Sequence, residues 1–503
     1  MWRERLFCFG RPVTKLFEKR LPVLVAALAL ASYPLSWLPV TQTQFRYGLL
    51  LPWAVGATVL ALTVWALAGA RPWTIPVTRA QLWPVGLLAA SLLLSVRFSQ
   101  RPYLSVAALP LWAGSLGVFL LAGRPPQRFA AWWVLAAVVV AVNGLARLGS
   151  ESEFLSTFGN RNFLGAYLAA SVCLAAGLWP EQKKTAFVVG AVLVTGLVFC
   201  HSRGAWVGLG VAGLVWAFLT GRHRWTVAGL AVAGVVVGGW LAAREWSRDV
   251  RPVIWQSTLR MIAARPVIGH GLGTFVTEYP PYRLPEYFQR PKAAPVTDHA
   301  HNELLEVAAE QGALGAAAIV WLWGGALWAG WKRAARVPAV RPSLAAAIVF
   351  LVHGLLDVGL RYAPAGPLFW VLLGVLAADD NEPQPVVCPV RWPGARWLLA
   401  GLATVVAIWL AVTGIVRPMQ ADIGERRARL AEAHGDLAGA TAAARQALAA
   451  QPFRLRTRYF LAELLTRQHL VDQAIAELEI VQQFAPHYAQ VTQNLTILRA
   501  APR

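Results

Sequence analysis

Asp298-His299-Ala300-His301-Asn302-Glu303-Leu304-Leu305-Glu306 runs directly into Val307-Ala308-Ala309-Glu310-Gln311-Gly312-Ala313-Leu314-Gly315-Ala316-Ala317-Ala318-Ile319-Val320-Trp321-Leu322-Trp323. The first run is polar and ionisable, and the second soon becomes apolar enough to enter lipid. A chain of 503 residues that is 57% hydrophobic and only 14% charged is too apolar for a soluble globule of that size. The junction therefore reads as a membrane boundary and the chain as a polytopic membrane protein. Charge at such a boundary needs a reason. His301-Asn302, separated by nine residues from Gly312-x-x-Gly315, lies in the densest polar cluster of the chain, and the active site is expected there.

Outward from this junction, apolar runs long enough to cross a bilayer centre near residues 31, 59, 90, 114, 138, 171, 193, 213, 234, 317, 352, 371 and 406, which predicts 12–13 transmembrane helices. The net charge of +21 bears first on topology, and no nucleic-acid partner is expected. Arg3, Arg5, Arg11, Lys15, Lys19 and Arg20 precede the first span, and Lys183, Lys184, Arg222, Arg224, Lys332, Arg333, Arg336 and Arg341 fall in loops of the same parity. The N-terminus is thus expected in the cytoplasm. Pro22 to Val40 contains Pro34 and Trp37 and no small-x-small cleavage site, so it reads as an uncleaved span. The same parity puts the loops around Asn160, around Arg203 and from Arg244 to His301 on the external face, with everything after the last span. Cys8 and Cys388 fall on the cytoplasmic side and Cys173 and Cys200 in spans, which leaves no external pair for a disulfide.

Three segments follow: a basic cytoplasmic N-terminus (1–21), a transmembrane domain (22–418) with a large external loop (244–302), and an external helical tail (419–503). In the tail, Ala428/Ala462, Ala440/Ala474, Ala447/Val481 and Pro452/Pro486 recur at a spacing of 34, the tetratricopeptide period. Two full units fall short of the about three usually needed for a continuous core. The tail is therefore expected to dock on the membrane domain, a protein partner or another copy. The predicted fold class is an all-α polytopic membrane protein with a C-terminal tetratricopeptide-like α-helical repeat domain.

Several residues carry candidate chemistry. Ser202-Arg203-Gly204 forms a short turn between two spans. A Ser202 cap would leave first-turn N–H groups and the Arg203 guanidinium aimed at one point, which suits a phosphate. The large loop opens with Arg244, Arg248 and Arg251. Pro252 to Ala264 then reads as an amphipathic helix with Ile254, Trp255, Leu259 and Ile262 on its apolar side, ended by Arg265-Pro266. Gly269, Gly271 and Gly273 make a G-x-G-x-G run, but no strand precedes it, so a dinucleotide site is rejected. His301 is placed in the first turn of its helix, where Gly312 and Gly315 would allow close helix packing. Asp298, His299, Asn302, Glu303 and Glu306 surround it. Histidines at i and i+2 diverge on a helix and a His-x-Glu-x-x-His spacing is absent, so no metal site is expected.

Taken together, the His301-Asn302 to Gly312-x-x-Gly315 run, the Arg265-to-Phe275 stretch, Ser202-Arg203-Gly204 and Thr157-to-Gly165 (which includes Asn160 and Asn162) resemble the O-antigen ligase and polymerase superfamily over residues 155 to 330. The resemblance implies a helical, GT-C-like membrane glycosyltransferase of the bacterial cytoplasmic membrane. Such enzymes take a glycan from a polyprenyl diphosphate carrier on the outer face, without cofactor or required metal. It assigns His301 as the essential histidine and Arg203 as an essential arginine, with Arg251 or Arg265 as a second. Asn160, Asn162, Ser202, Asn302 and Glu303 are supporting residues.

Elementary chemistry is consistent with such a transfer. A departing diphosphate needs guanidinium groups if no metal is present. An attacking hydroxyl needs a base that works near neutral pH, which a histidine supplies. Membrane lipids, the lipid-linked donor and an acceptor are the expected partners, the acceptor being lipid A-core, another glycan or a protein. A lipid-linked glycan flippase is the non-enzyme alternative, although charge within the spans is scarce and the polar clusters gather on one face.

Overall fold

The computed structural model describes residues 78–121, 129–148, 160–178, 182–221, 248–291, 296–362, 365–378 and 417–500, two short strands, and isolated positions between them. The expected spans near residues 31 and 59 lie outside the described residues, and those near 234 and 406 lie largely outside them.

The first half contributes α1 (Arg79–Arg97), α2 (Pro102–Leu121), α3 (Phe129–Ala146), α4 (Arg161–Ala176), α5 (Lys183–Cys200) and α6 (Arg203–Thr220). The large loop holds α7 (Arg251–Ala264) and the single turn α8 (Phe275–Glu278). The bundle resumes with α9 (Glu303–Arg336), α10 (Arg341–Gly354) and α11 (Ala365–Ala377). Strand β1 (Trp73–Ile75) pairs antiparallel with β2 (Gln384–Val386), a small exception in an otherwise helical fold.

Six of these helices, α1, α2, α3, α5, α6 and α9, are long and apolar enough to cross a membrane, while α4 and α11 are shorter. The short ones are the most enclosed: 12 of the 16 residues of α4 and 11 of the 13 of α11 are buried. A helix that is apolar all round belongs in a core, so α4 and α11 form the centre and the longer helices surround it. Trp133 of α3 stacks on Tyr167 of α4 and donates to the Ser171 hydroxyl at 3.0 Å. The chain is an all-α polytopic membrane protein.

Helix α9 is broken. Gly312 has φ +68° and ψ −166° inside the helical run, separating a polar half that begins at Glu303 from an apolar half that begins at Ala313. The loop after α7 satisfies backbone groups at the break. Ala313 N donates to the Pro266 carbonyl at 2.7 Å, while the Ala309 and Glu310 carbonyls accept from His270 N and Gly271 N at 3.0 and 2.9 Å. Irregular backbone near a membrane persists only where its polar groups are paired in this way. The G-x-G-x-G run is thus a backbone clasp. A Cβ on Gly269 would lie 2.4 Å from the Glu310 carbonyl carbon, and one on Gly312 would lie 2.2 Å from the Val267 oxygen. This corrects the reading of Gly312 as a helix-packing surface, because its positive φ opens the helix.

The buried side of α7 also differs from expectation. Ile254 is buried with Val253, Ser257, Thr258 and Met261, whereas Leu259 is exposed. Ser257 and Thr258 hydroxyls return to the carbonyls of Val253 and Ile254, so they enter the core without an unmet donor.

The tail comprises α12 (Arg417–Ala433), α13 (Leu437–Ala450), α14 (Leu455–Arg467), α15 (Val471–Phe484) and α16 (Val491–Ala500). Helices α13 and α15 begin and end 34 residues apart. Ala428, Ala440, Ala447, Ala462, Ala474 and Val481 are all buried, so the small residues sit where paired helices touch. The tail docks on the membrane domain. Tyr103 of α2 lies 5.3 Å from each of the Phe453 and Phe484 rings, and Val276 and Val296 of the large loop pack on the tail core.

Candidate active site

The starts of α4, α7 and α9 meet the turn that follows α10, and Asp357 of that turn joins them. Asn160 caps α4, accepting from Asn162 N at 2.8 Å and Phe163 N at 3.4 Å. The Asn162 carboxamide in turn donates to Asp357 Oδ2 at 2.9 Å. Arg251, the first residue of α7, reaches the same oxygen through Nη2 at 3.1 Å. His301 Nδ1 lies 2.9 Å from Asp357 Oδ1.

His301 does not sit in the first helical turn as expected. Asn302 is the N-cap of α9, accepting from Leu305 N at 3.0 Å and donating to the Leu355 carbonyl at 2.8 Å. His301 precedes that cap with φ +52°, outside the helix. An Asn side chain satisfies an orphan N–H at a helix start, and this starts the helix at Glu303. The left-handed residue before it turns the imidazole toward Asp357.

The Asp357 side chain is 4% exposed, against 34% for His301 and 29% for Arg251. Burial alone would raise its carboxyl, yet the His301 hydrogen bond and the charges of His301 and Arg251 hold it well below the usual carboxylate range. Asp357 is therefore an anion. An anion beside Nδ1 calls for a proton on that nitrogen, so Nε2 is the ring nitrogen left to face a substrate. The arrangement is an imidazole oriented by a carboxylate, with a guanidinium beside it.

Arg203 opens α6 close to this turn. A Cβ on neighbouring Gly204 would lie 3.2 Å from the His353 ring, and the His353 carbonyl accepts from Asp357 N at 2.9 Å. Ser202 occupies the N-cap position, but its hydroxyl makes no cap. It is buried against Gly165 with no hydrogen-bond partner, so the expected capping role is corrected. Arg265 is not brought to His301. It ends α7, about 20 Å along the helix from Arg251, and its Nη2 lies 3.1 Å from the Gln100 carboxamide.

Glu303 turns away from His301 as well. It accepts from Leu360 N at 3.1 Å and from Arg361 Nε at 3.0 Å. Arg361 also pairs with Glu306 at 3.0 Å and Glu310 at 3.1 Å. His299 bonds Glu306 at 2.8 Å and the Tyr362 hydroxyl. Burial would lower the His299 imidazole, but the Glu306 carboxylate outweighs it and raises the group above its ordinary value.

Asp357, Arg361 and Tyr362 are not among the residues that the sequence singles out. Their signal was present, because Asp357 and Arg361 are charges between the spans centred near 352 and 371, in a loop of the same parity as the His301 cluster.

Fold and site together define a polytopic helical membrane protein with a part-exposed histidine–carboxylate–arginine centre, His301–Asp357–Arg251, at an end of its bundle. Residues 186–320 match the O-antigen ligase family, so this segment of the chain is similar to that family. The matched segment contains Arg203, Arg251, Arg265, His301 and Asn302, while Asn160, Asn162, Asp357 and the tail lie beyond it. No curated protein matches the chain.

Proposed function

We propose that the protein is an O-antigen ligase-like glycosyltransferase. It moves a glycan from a polyprenyl (undecaprenyl) diphosphate carrier to an acceptor hydroxyl at the external face of the bacterial cytoplasmic membrane, without metal and with inversion. The observation that carries this reading is the Asp357 carboxylate, which gathers His301, Arg251 and Asn162 from three separate elements. The family match supports the same activity class.

In this mechanism His301 Nε2 takes the acceptor proton as the acceptor oxygen bonds to the anomeric carbon. The bond from that carbon to the diphosphate oxygen breaks, and its electron pair leaves with the lipid diphosphate. Arg251 and Arg203 face the charge that develops on the leaving group. Asp357 keeps the imidazole in the tautomer that can accept a proton and stabilises the imidazolium that forms. Displacement in a single step inverts the anomeric centre; a product with retained configuration would refute that step.

The positive-inside pattern supports a cytoplasmic N-terminus and an external site. The docked tail shares the site's end of the bundle, and its spacing of 34 supports a tetratricopeptide-like unit over 419–503 that engages the acceptor or a protein partner. Transfer to lipid A-core is favoured, with polysaccharide polymerisation or protein O-glycosylation as the alternatives within the same chemistry. The break in α9 does not argue for a flippase, because the protein's own loop fills it.

The test is to incubate the protein and its His301→Ala variant with polyprenyl-diphosphate glycan, EDTA and three acceptors in parallel: lipid A-core, a second lipid-linked glycan and a pilin-like peptide. Transfer that survives chelation and vanishes in the variant is expected, and the productive acceptor names the branch. A folded protein that transfers to none of them would overturn the reading.

A further inference from the structure

The charges around Arg361 do no chemistry in the mechanism above, yet they are the most heavily buried ion pairs of the membrane domain among the described residues. The Arg361 side chain is 10% exposed, and the carboxylates of Glu303, Glu306 and Glu310 are 4%, 1% and 1% exposed. The three glutamates follow a spacing of three and four, so they form one face of the polar half of α9. Nε takes Glu303, Nη1 takes Glu306 and Glu310, and the guanidinium carbon lies 5.8 Å from the centroid of the Trp112 ring.

Arg361 is four residues beyond Asp357 on the same turn. That turn is pinned to α9 on both sides of Asp357, by Asn302 to the Leu355 carbonyl before it and by Glu303 to Leu360 N and Arg361 after it. A buried ionic cluster is a poor source of stability compared with apolar packing, but its directional bonds can fix one register. The bonds here fix the register of the Asp357 turn against the start of α9, where His301 stands.

We propose that Arg361 is a positioning residue for the transfer reaction: by clamping Glu303, Glu306 and Glu310 it sets Asp357 at hydrogen-bonding distance from His301. The proposal rests on His301 and Asp357 being the base and its orienting carboxylate. Lysine keeps the charge and loses the planar fork, so Arg361→Lys separates charge from register.

The experiment compares wild type, R361K, R361Q and H301A, each checked for folding by size exclusion and thermal melting in detergent. A misplacement of about 1 Å can cost about a hundredfold in rate. The expected result is a kcat about tenfold lower in R361K and about a hundredfold lower in R361Q, with donor KM changed less than about threefold. Histidine-selective 15N labelling reads the clamp without activity: the Nδ1–H signal of His301, assigned by its loss in H301A, should shift or broaden in R361K. Should R361Q not fold, R361K still decides the matter. Wild-type kcat and an unmoved His301 signal in R361K would overturn the clamp while leaving the base intact. Undiminished transfer in H301A would instead overturn the reading on which the clamp rests.

Discussion

Asp357 and Arg361 are four residues apart on one turn, and each gathers opposite charges, but they do so in different surroundings. Asp357 is a buried anion whose partners His301 and Arg251 are about one-third exposed, so the charge is presented outward to whatever enters. Arg361 is a buried cation whose three carboxylate partners are buried as well. Groups that act on a substrate must keep one side open, whereas groups that hold a frame gain by being closed. On the proposed reading the same short turn serves both purposes, and the exposure of the partners tells them apart.

The largest expected effect is on the open side. His301→Ala should lower the transfer rate about 10²- to 10⁴-fold, the usual range for a lost general base, with little change in melting temperature. Asp357→Asn should cost about a hundredfold or more through the wrong tautomer, as in other histidine–carboxylate pairs. Because the two act as a unit, the double variant should be hardly slower than His301→Ala alone. Independent, multiplicative losses in single-turnover assays would break the pairing.

The two ends of α7 sharpen the contrast next. Arg251→Ala should reduce turnover about 10²-fold or more, the size expected when charge on a leaving group loses a preorganised donor. Arg265→Ala, which removes a partner of Gln100 rather than of Asp357, should reduce it less than about fivefold. Equal losses in parallel kinetics would place Arg265 at the reaction after all.

On the closed side, Gly312→Ala should act through stability. Its φ of +68° with ψ −166° is a region nearly confined to glycine, costing an L side chain about 1–3 kcal/mol, and the added Cβ would meet the Val267 oxygen at 2.2 Å. A lower melting temperature and faster proteolysis in the 265–275 loop are expected, with turnover per folded molecule changed less than in either arginine variant. Unaltered melting would mean that the break is not clasped as described. Tyr103→Ala should have a smaller effect, since two aromatic contacts at about 0.5–1.5 kcal/mol each hold that edge of the tail. Protease release of the tail from membranes, compared with wild type, measures it.

The residues that sequence could and could not read divide along the same line. Apolar periodicity marks the spans, and a spacing of 34 marks the tail helices, because both depend on local repeats. His301, Arg251 and Asn162 could be singled out because each stands beside a helix start at a polar boundary. The partner that unites them could not, since Asp357 lies 56 residues beyond His301 and its meaning depends on the crossing of four elements. Gly312 illustrates the other limit. A glycine in an apolar helix is read as a packing surface, and only the 265–271 loop lying against it shows that it is a break. Glu303 adjoins the His301 segment in sequence, yet a helix start sends neighbouring side chains in different directions, and its carboxylate goes to Arg361.

The smallest effect expected is a pH dependence that separates the two charge groups. Asp357 is held far below the ordinary carboxylate value, so it stays ionised throughout the usable range and contributes no pH slope near neutrality. His299 is different, because Glu306 raises it above the ordinary imidazole value despite burial. A folded-state value above the unfolded one, which is about 6.5, means that the folded protein binds the extra proton. The stabilisation is then full below about pH 6.5 and fades as pH rises through the raised folded value. Melting temperatures of wild type and His299→Gln, taken between about pH 5 and 9, should therefore differ most at the acid end and converge toward the alkaline end. A constant gap would assign His299 to the neutral frame, and the closed cluster would then hold its three carboxylates with Arg361 as the lone cation among the described residues.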